Sequence, residues 1–379
     1  MIARKLTIGL LAVILCCGCG NDAPAPEKRP SGKTEPEETG GSEMVDKESY
    51  NIYLGNTHAH TLYSGDATQT DDNSAANHYK LARENGYDFY CVTDHSQYES
   101  YTPEAWADIA SAADAATVNG KFVAIRGYEH SENNGPGAKG HQNVFNSQTY
   151  LNALADGIDM QYFHNWLAET TNKDVIVSMN HPKTDQYSTF ACYNEAARSH
   201  VSLIELINGP KAADDYHDSF LVALSKGWKV SPVAGCDNHA VKPISTWPAR
   251  TGVAAKELTR ASLFEAMAAG RTYATYDINL KVLYYVDNRP MGSRFKSSAD
   301  TLKFDIEVED PDTSDDSNRI VRIEIVRANG TVAASETFSE HHVSWKPEVK
   351  RDASCYSVKI YNAAITGKPV AYAAPVWLQ

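Results

Sequence analysis

The stretch Gly55-Asn56-Thr57-His58-Ala59-His60, with Ser64-Gly65-Asp66 close behind, decides how the rest of the chain is read. It follows the short apolar run Ile52–Leu54. On a strand or its frayed end, residues two apart point the same way, so the imidazoles of His58 and His60 converge as a pair suited to one metal ion. An isolated His-x-His is more often a solvated pair. The question is whether further ligands recur at equivalent places.

They do recur. Apolar runs follow at Tyr87–Val92, Phe122–Ile125, Val175–Met179, Val201–Ile207 and Lys229–Ala234. Helical patterns lie between them, among them Asn73–Glu84 closed by Asn85-Gly86, and Thr259–Ala269 closed by Gly270. Thr259 suits an N-cap and Gly270 a left-handed stop. Strands alternating with helices from Ile52 to Tyr276 predict an α/β fold with a parallel sheet, open or closed into a barrel. In such sheets ligands gather at the carboxyl ends of the strands. Thr93-Asp94-His95, Gly127-Tyr128-Glu129, Gly140-His141-Gln142-Asn143, Asn180-His181-Pro182 and Gly235-Cys236-Asp237-Asn238-His239 stand after successive runs, the Gly140 segment a loop later. Of 13 histidines, His58, His60, His95, His141, His181 and His239 fall at these places; the others read as solvated or structural. With Asp66, Glu129 and Asp237 they make a nitrogen and oxygen set without thiolates. That favours zinc, manganese or iron over a structural cysteine-type zinc site. Nine ligands exceed what one ion takes, so two or three divalent ions are expected.

After Asp277 the pattern changes. Leu302–Val308 and Val321–Ile325 alternate strictly, Ala328-Asn329-Gly330-Thr331 supplies a hairpin turn, and Tyr356–Ile360 alternates again. About a hundred such residues predict a small β-sandwich. The acidic segment Asp310–Asp316 lacks EF-hand spacing and reads as a solvated loop.

At the other end, Arg4 and Lys5 precede the apolar run Leu6–Leu15 and then Cys16-Cys17-Gly18-Cys19-Gly20. That is an export signal, with an ending that resembles a bacterial lipobox and makes Cys19 the residue to be lipidated. Residues poor in apolar side chains follow to about Lys47 and read as a tether. The expected division is 1–19 signal peptide, 20–47 linker, 48–277 metal-binding α/β domain and 278–379 β-sandwich. The expected location is a membrane-anchored lipoprotein on the periplasmic or cell-surface face. Cys91, Cys192, Cys236 and Cys355 are scattered without CxxC spacing, and sequence does not pair them. A formal net charge of −13 predicts no nucleic-acid partner.

The ordered set His-x-His, Ser-Gly-Asp, Thr-Asp-His, Glu, Gly-His-x-Asn, Asn-His-Pro and Asp-x-His resembles the PHP (polymerase and histidinol phosphatase) superfamily over roughly residues 51–276. The lipoprotein-like start, Gly-Arg-Thr-Tyr-Ala-Thr at 270–275 and the trailing β-sandwich resemble its metal-dependent phosphoesterase branch, which also holds hydrolases of aryl carbamate esters. The resemblance implies a distorted (β/α)7 barrel with a trinuclear metal centre at its rim. It implies a first site of His58, His60, Glu129 and Asp237, a second of Glu129, His141 and His181, and a third of Asp66, His95 and His239. Relatives commonly read Ser-Asp-Gly where this chain has Ser64-Gly65-Asp66, which displaces that carboxylate by one residue.

The expected chemistry is hydrolysis of a small phosphomonoester or phosphodiester by a hydroxide bridging two ions, since divalent ions lower the pKa of bound water. Glu129 would bridge the ions. Asp94 would orient a ligand or accept a proton, and Arg250, within Pro248–Gly252, would meet the phosphate, with Lys139 and Lys183 as further cations. A carboxylic or carbamate ester hydrolase on the same centre is the alternative, followed by a non-enzymatic surface-binding lipoprotein. No Gly-x-Ser-x-Gly elbow is present to support a serine nucleophile.

Overall fold

A strand whose second half is buried delivers the first histidines. The computed structural model describes residues 46–131 and 140–379; the signal segment, Cys19, most of the tether and Lys139 lie outside them. Ten strands carry the first part: β1 (Asn51–Asn56), β2 (Phe89–Val92), β3 (Val123–Ser131), β4 (His141–Phe145), β5 (Ile176–Asn180), β6 (Val201–Asn208), β7 (Asp214–Asp215), β8 (Ser231–Gly235), β9 (Arg250–Ala255) and β10 (Thr272–Thr275). β2, β5, β6 and β8 are buried at every residue, as expected of strands covered on both faces.

The fold is mixed α/β around one large sheet. β1, β2 and β3 run parallel, as do β5, β6 and β8. The expected all-parallel sheet needs correcting. β4 is antiparallel to both β3 and β5, and β9 is antiparallel to β1. The connection from Ser131 to His141 is too short for the crossover that a parallel pair demands. β8 returns toward β9 and β10 without a main-chain ladder among the described residues. Instead Thr251 Oγ1 donates to the Ala234 carbonyl at 2.8 Å and Thr272 Oγ1 to the Pro232 carbonyl at 2.9 Å.

Helices Ala75–Glu84, Pro103–Ala116 and Arg260–Ala268 cover the sheet. Thr102 caps the second with Pro103 at its first turn, and Thr259 caps the third by accepting from the Ser262 amide. Gly270 then takes a φ of +69°, the left-handed stop its sequence predicts. Among the described residues no helix is long and apolar enough to cross a membrane.

The later strands continue the same sheet, because Ala371–Ala373 pairs with β10 and Cys355–Asn362 lies beyond it. A second sheet contains Lys281–Val286 and Thr301–Glu309. Leu302, Phe304, Ile306 and Val308 point inward at alternate positions and share one apolar cluster with Ile323, Ile325, Val358 and Ile360. Cys91, Cys192, Cys236 and Cys355 are free thiols.

Candidate metal centre

Main-chain bonds at the end of β1 fix the first two histidines. The His60 amide donates to the Asn238 carbonyl and the Asp237 amide to the His58 carbonyl, both at 2.9 Å. Ala59, between the histidines, is fully buried on the opposite side. The two imidazoles therefore share one face, and their Nε2 atoms lie 3.0 Å apart.

Seven further residues converge on this pair. His60 Nε2 is 3.0 Å from Asp237 Oδ1. His58 Nε2 is 3.3 Å from Glu129 Oε1, which also stands 3.3 Å from His141 Nδ1 and 3.5 Å from His181 Nε2. His95 Nδ1 is 2.8 Å from Glu129 Oε2. Asp66 Oδ2 lies 3.4 Å from both His95 Nε2 and His239 Nε2, so the carboxylate displaced in Ser64-Gly65-Asp66 still reaches this side of the cluster. All nine sequence-derived ligands meet in one place. His141 arrives because β4 runs backwards, which brings its first residue to the rim where β3 and β5 end.

Ligand atoms gather in three overlapping groups: His58, His60 and Glu129; His95, Glu129 and His141; and His60, His95 and His239. Glu129 is shared as the resemblance implies, and His60 and His95 are each shared as well, so the grouping is less segregated than that implied, where only Glu129 joins two sites. His58, His60 and Glu129 are sealed from solvent, whereas the side chains of Asp66 and His239 are 42% and 34% exposed. The cluster thus has a closed floor and an open side.

The electrostatics match that layout. Burial alone would raise the Glu129 carboxyl, but the charges of His58, His141 and His95 hold it well below the usual range. Asp237 is lowered against its burial by His58 and His60. Burial and the neighbouring His95 push His60 down to about 3, while Glu129 and Asp66 outweigh burial at His95 and raise it to about 10.

Asp94 lies one side chain further back. Its oxygens accept from the Thr61 amide at 2.6 Å, Thr61 Oγ1 at 2.8 Å and Ser64 Oγ at 3.0 Å. Ser64 Oγ, donating to Asp94, must accept from His60 Nδ1 at 2.9 Å. Asp94 thereby fixes which nitrogen of His60 faces the cluster.

Arg250 is not brought to the cluster. Its guanidinium donates to the carbonyls of Trp247 and Ala249 and covers the Tyr87 ring at 3.7 Å. The expectation that it meets the substrate is corrected, since the side chain is buried with Nη1 engaged by both carbonyls. Lys183 is exposed. Of the remaining histidines, His130 stacks on Phe163 and His78 bonds Asn73.

Glu205 was missed by sequence reasoning. It sits in the middle of β6, fully buried, with Oε1 2.8 Å from His58 Nδ1. The signal was available: an acid in the otherwise apolar Leu203-Ile204-Glu205-Leu206-Ile207.

The family described as "Protein of unknown function (DUF3604)" matches residues 83–195. No curated protein matches the chain. Among solved structures, a two-domain protein from Bacteroides vulgatus containing a predicted PHP-like metal-dependent phosphoesterase is 15% identical, with 88% of this chain and 97% of that one covered and a TM-score of 0.47. The lesion-specific endonuclease Q from Pyrococcus furiosus is 14% identical, covering 57% and 56%, with a TM-score of 0.38. An endonuclease Q complex with a 27-mer duplex bearing an abasic lesion at the active site gives 14%, 57%, 56% and 0.39.

One expectation is corrected: net charge does not exclude nucleic acid as a partner, and an endonuclease Q in complex with a duplex stands among the similar structures. A total of −13 sums the whole surface, whereas the field at a site is set by its own groups and by ions bound there.

Proposed function

We propose that the chain is a metal-dependent hydrolase of phosphoric esters, with His58, His60, Asp66, His95, Glu129, His141, His181, Asp237 and His239 holding two or three divalent ions. The observation that carries this reading is Glu129, one buried carboxylate shared by two ligand groups. Adjacent metal positions joined by a carboxylate suit a phosphoryl group, whose oxygens need neutralising on more than one side. The residues fit the ions. Glu129 Oε2 and His141 Nδ1 are buried and approached at 2.8 and 3.3 Å without the geometry of a hydrogen bond, and the donor set is nitrogen and oxygen throughout, as zinc, manganese or iron accept.

Bound divalent ions would polarise the ester and make a water nucleophilic at neutral pH. The protein's own contribution is placement. Ser64 and Asp94 hold His60, the closed floor excludes water from His58 and Glu129, and the open side at Asp66 and His239 receives the ester. On the same footing we read 48–277 as a PHP-like (β/α)7 barrel, 278–379 as a β-sandwich, and 1–19 with Cys19 as the leader of a membrane-anchored lipoprotein.

The test is hydrolysis by the purified full-length chain, supplied with zinc or manganese, of p-nitrophenyl phosphate, its bis-ester, p-nitrophenyl acetate and a duplex with an abasic site. Phosphate-ester turnover abolished by EDTA is expected. Cleavage of the duplex alone would assign the diester to nucleic acid. Acetate turnover alone would move the assignment to a carboxylic ester hydrolase, and no turnover with any metal would leave a binding protein.

A further inference from the structure

Glu205 has no solvent exposure, and both its oxygens are occupied. Oε1 faces His58 Nδ1 at 2.8 Å. Oε2 accepts from the His181 amide at 2.7 Å and from Asn208 Nδ2 at 2.8 Å. Three hydrogen bonds engage the carboxylate, and Glu205 belongs to none of the three groups in which ligand atoms gather. It touches two of the proposed ligands by different means. At His58 it holds the ring: a carboxylate accepts, so Nδ1 donates and Nε2 presents its lone pair toward His60 and Asp237. At His181 it holds the backbone. His181 has a φ of +30°, a region that costs a non-glycine residue free energy unless its surroundings enforce it. The bond to the His181 amide lies at that bend, from which the ring turns back to Glu129.

The third neighbour is Gly235, two residues before Asp237. A β-carbon there would collide with Glu205 Oε1 and come within 2.8 Å of Glu205 Cδ and His58 Cβ. The absent side chain at Gly235 leaves the space in which Glu205 reaches His58. One buried acid on β6 thus organises segments from β1, β5 and β8.

We infer that Glu205 is a positioning residue of the metal centre, setting the ring of His58 and the backbone of His181 for metal binding without ligating an ion itself. This rests on the metal-centre reading above. The experiment is a competition titration with Zn²⁺ alone on the metal-stripped full-length chain, for wild type, Glu205→Gln, His58→Ala and the double variant, with thermal melting of each stripped protein. Glutamine keeps the shape but sets its amide group against either His58 or the two donors at Oε2. The expected result is a zinc affinity 10- to 100-fold weaker in Glu205→Gln, the usual range for a group that holds a ligand from behind. In the His58→Ala background the same change is expected to cost at least fivefold less, because half of its purpose is gone.

Wild-type binding with unchanged affinity in Glu205→Gln, or full additivity of the two substitutions, would overturn the role of Glu205 alone. Absence of zinc from wild type would instead overturn the metal-centre reading. If Glu205→Gln does not fold, Asn208→Ala decides: it removes one bond to Oε2, and an affinity at least threefold weaker is expected, whereas no change refutes the inference.

Discussion

His58 Nε2 and His60 Nε2 face each other across 3.0 Å, while the Nδ1 atoms behind them are held by Glu205 and Ser64. Two nitrogens bound to one zinc-sized ion at about 2.0–2.1 Å each would stand about 3 Å apart. The pair is preorganised for an ion, since neither ring can turn without breaking a buried bond. His58→Ala and His60→Ala are each expected to lower the bound metal by at least one ion per chain and to cut phosphate-ester turnover by about a hundredfold or more. Elemental analysis beside the rate assay checks this, and full metal content in either variant would count against a shared site.

Metal removal should also weaken the fold. Glu129 and Asp237 sit among histidines in a cluster whose floor is sealed from solvent, and ions bound only by the folded chain stabilise it by mass action. At free metal 100- to 1,000-fold above the dissociation constant the gain is about 3–4 kcal/mol. EDTA is expected to lower the melting temperature by several degrees, and zinc or manganese to restore it. An unchanged melting curve would show that the cluster stands without ions.

Arg250 supplies a contrast within the same sheet. Its carbonyl bonds and its stacking on Tyr87 assign it to the core. Arg250→Met is expected to destabilise the protein by about 1–3 kcal/mol through lost charged hydrogen bonds and cation–π contact. KM for p-nitrophenyl phosphate should stay within about threefold of wild type. A tenfold rise in KM with an unchanged melting temperature would restore Arg250 to the substrate.

The nine clustered side chains could be read from the chain because imidazoles and carboxylates at the ends of apolar runs are conspicuous, and because strand polarity collects those ends on one rim. His58, His95, Glu129 and Asp237 all illustrate this. Position in space was harder to see for Arg250: its sequence neighbourhood adjoins the centre, but the ring of Tyr87 and two carbonyls draw its guanidinium away. Glu205 was hidden by its setting, since a burial pattern averages over one acid in an apolar strand. The reversal of β4 depended on the length of a connection, which apolar runs do not register. Net charge does not decide for or against nucleic acid, because it carries no positional information.

A stability change with pH should come from far outside the centre. Burial, then the charge of Asp277, raises the Asp310 carboxyl to about 6 from its ordinary 3.8. The folded state therefore binds this proton more tightly than the unfolded chain. Its contribution is fully present below about pH 4 and is lost as pH rises through 6. Asp310→Asn keeps an acceptor for the Asp312 amide, bonded in wild type at 2.9 Å. The variant is expected to gain about 1–3 kcal/mol relative to wild type at pH 8 and nothing at pH 4. Urea melts at the two pH values measure it, and a gain independent of pH would refute the assignment.

The central claim is that one buried carboxylate, Glu129, joins neighbouring metal positions. The most direct measurement is metal content per chain for the purified full-length protein after loading with zinc or manganese, compared with Glu129→Gln. Two or three ions in wild type and at least one fewer in the variant are predicted. One ion or none in wild type, or equal content in both proteins, would contradict the account.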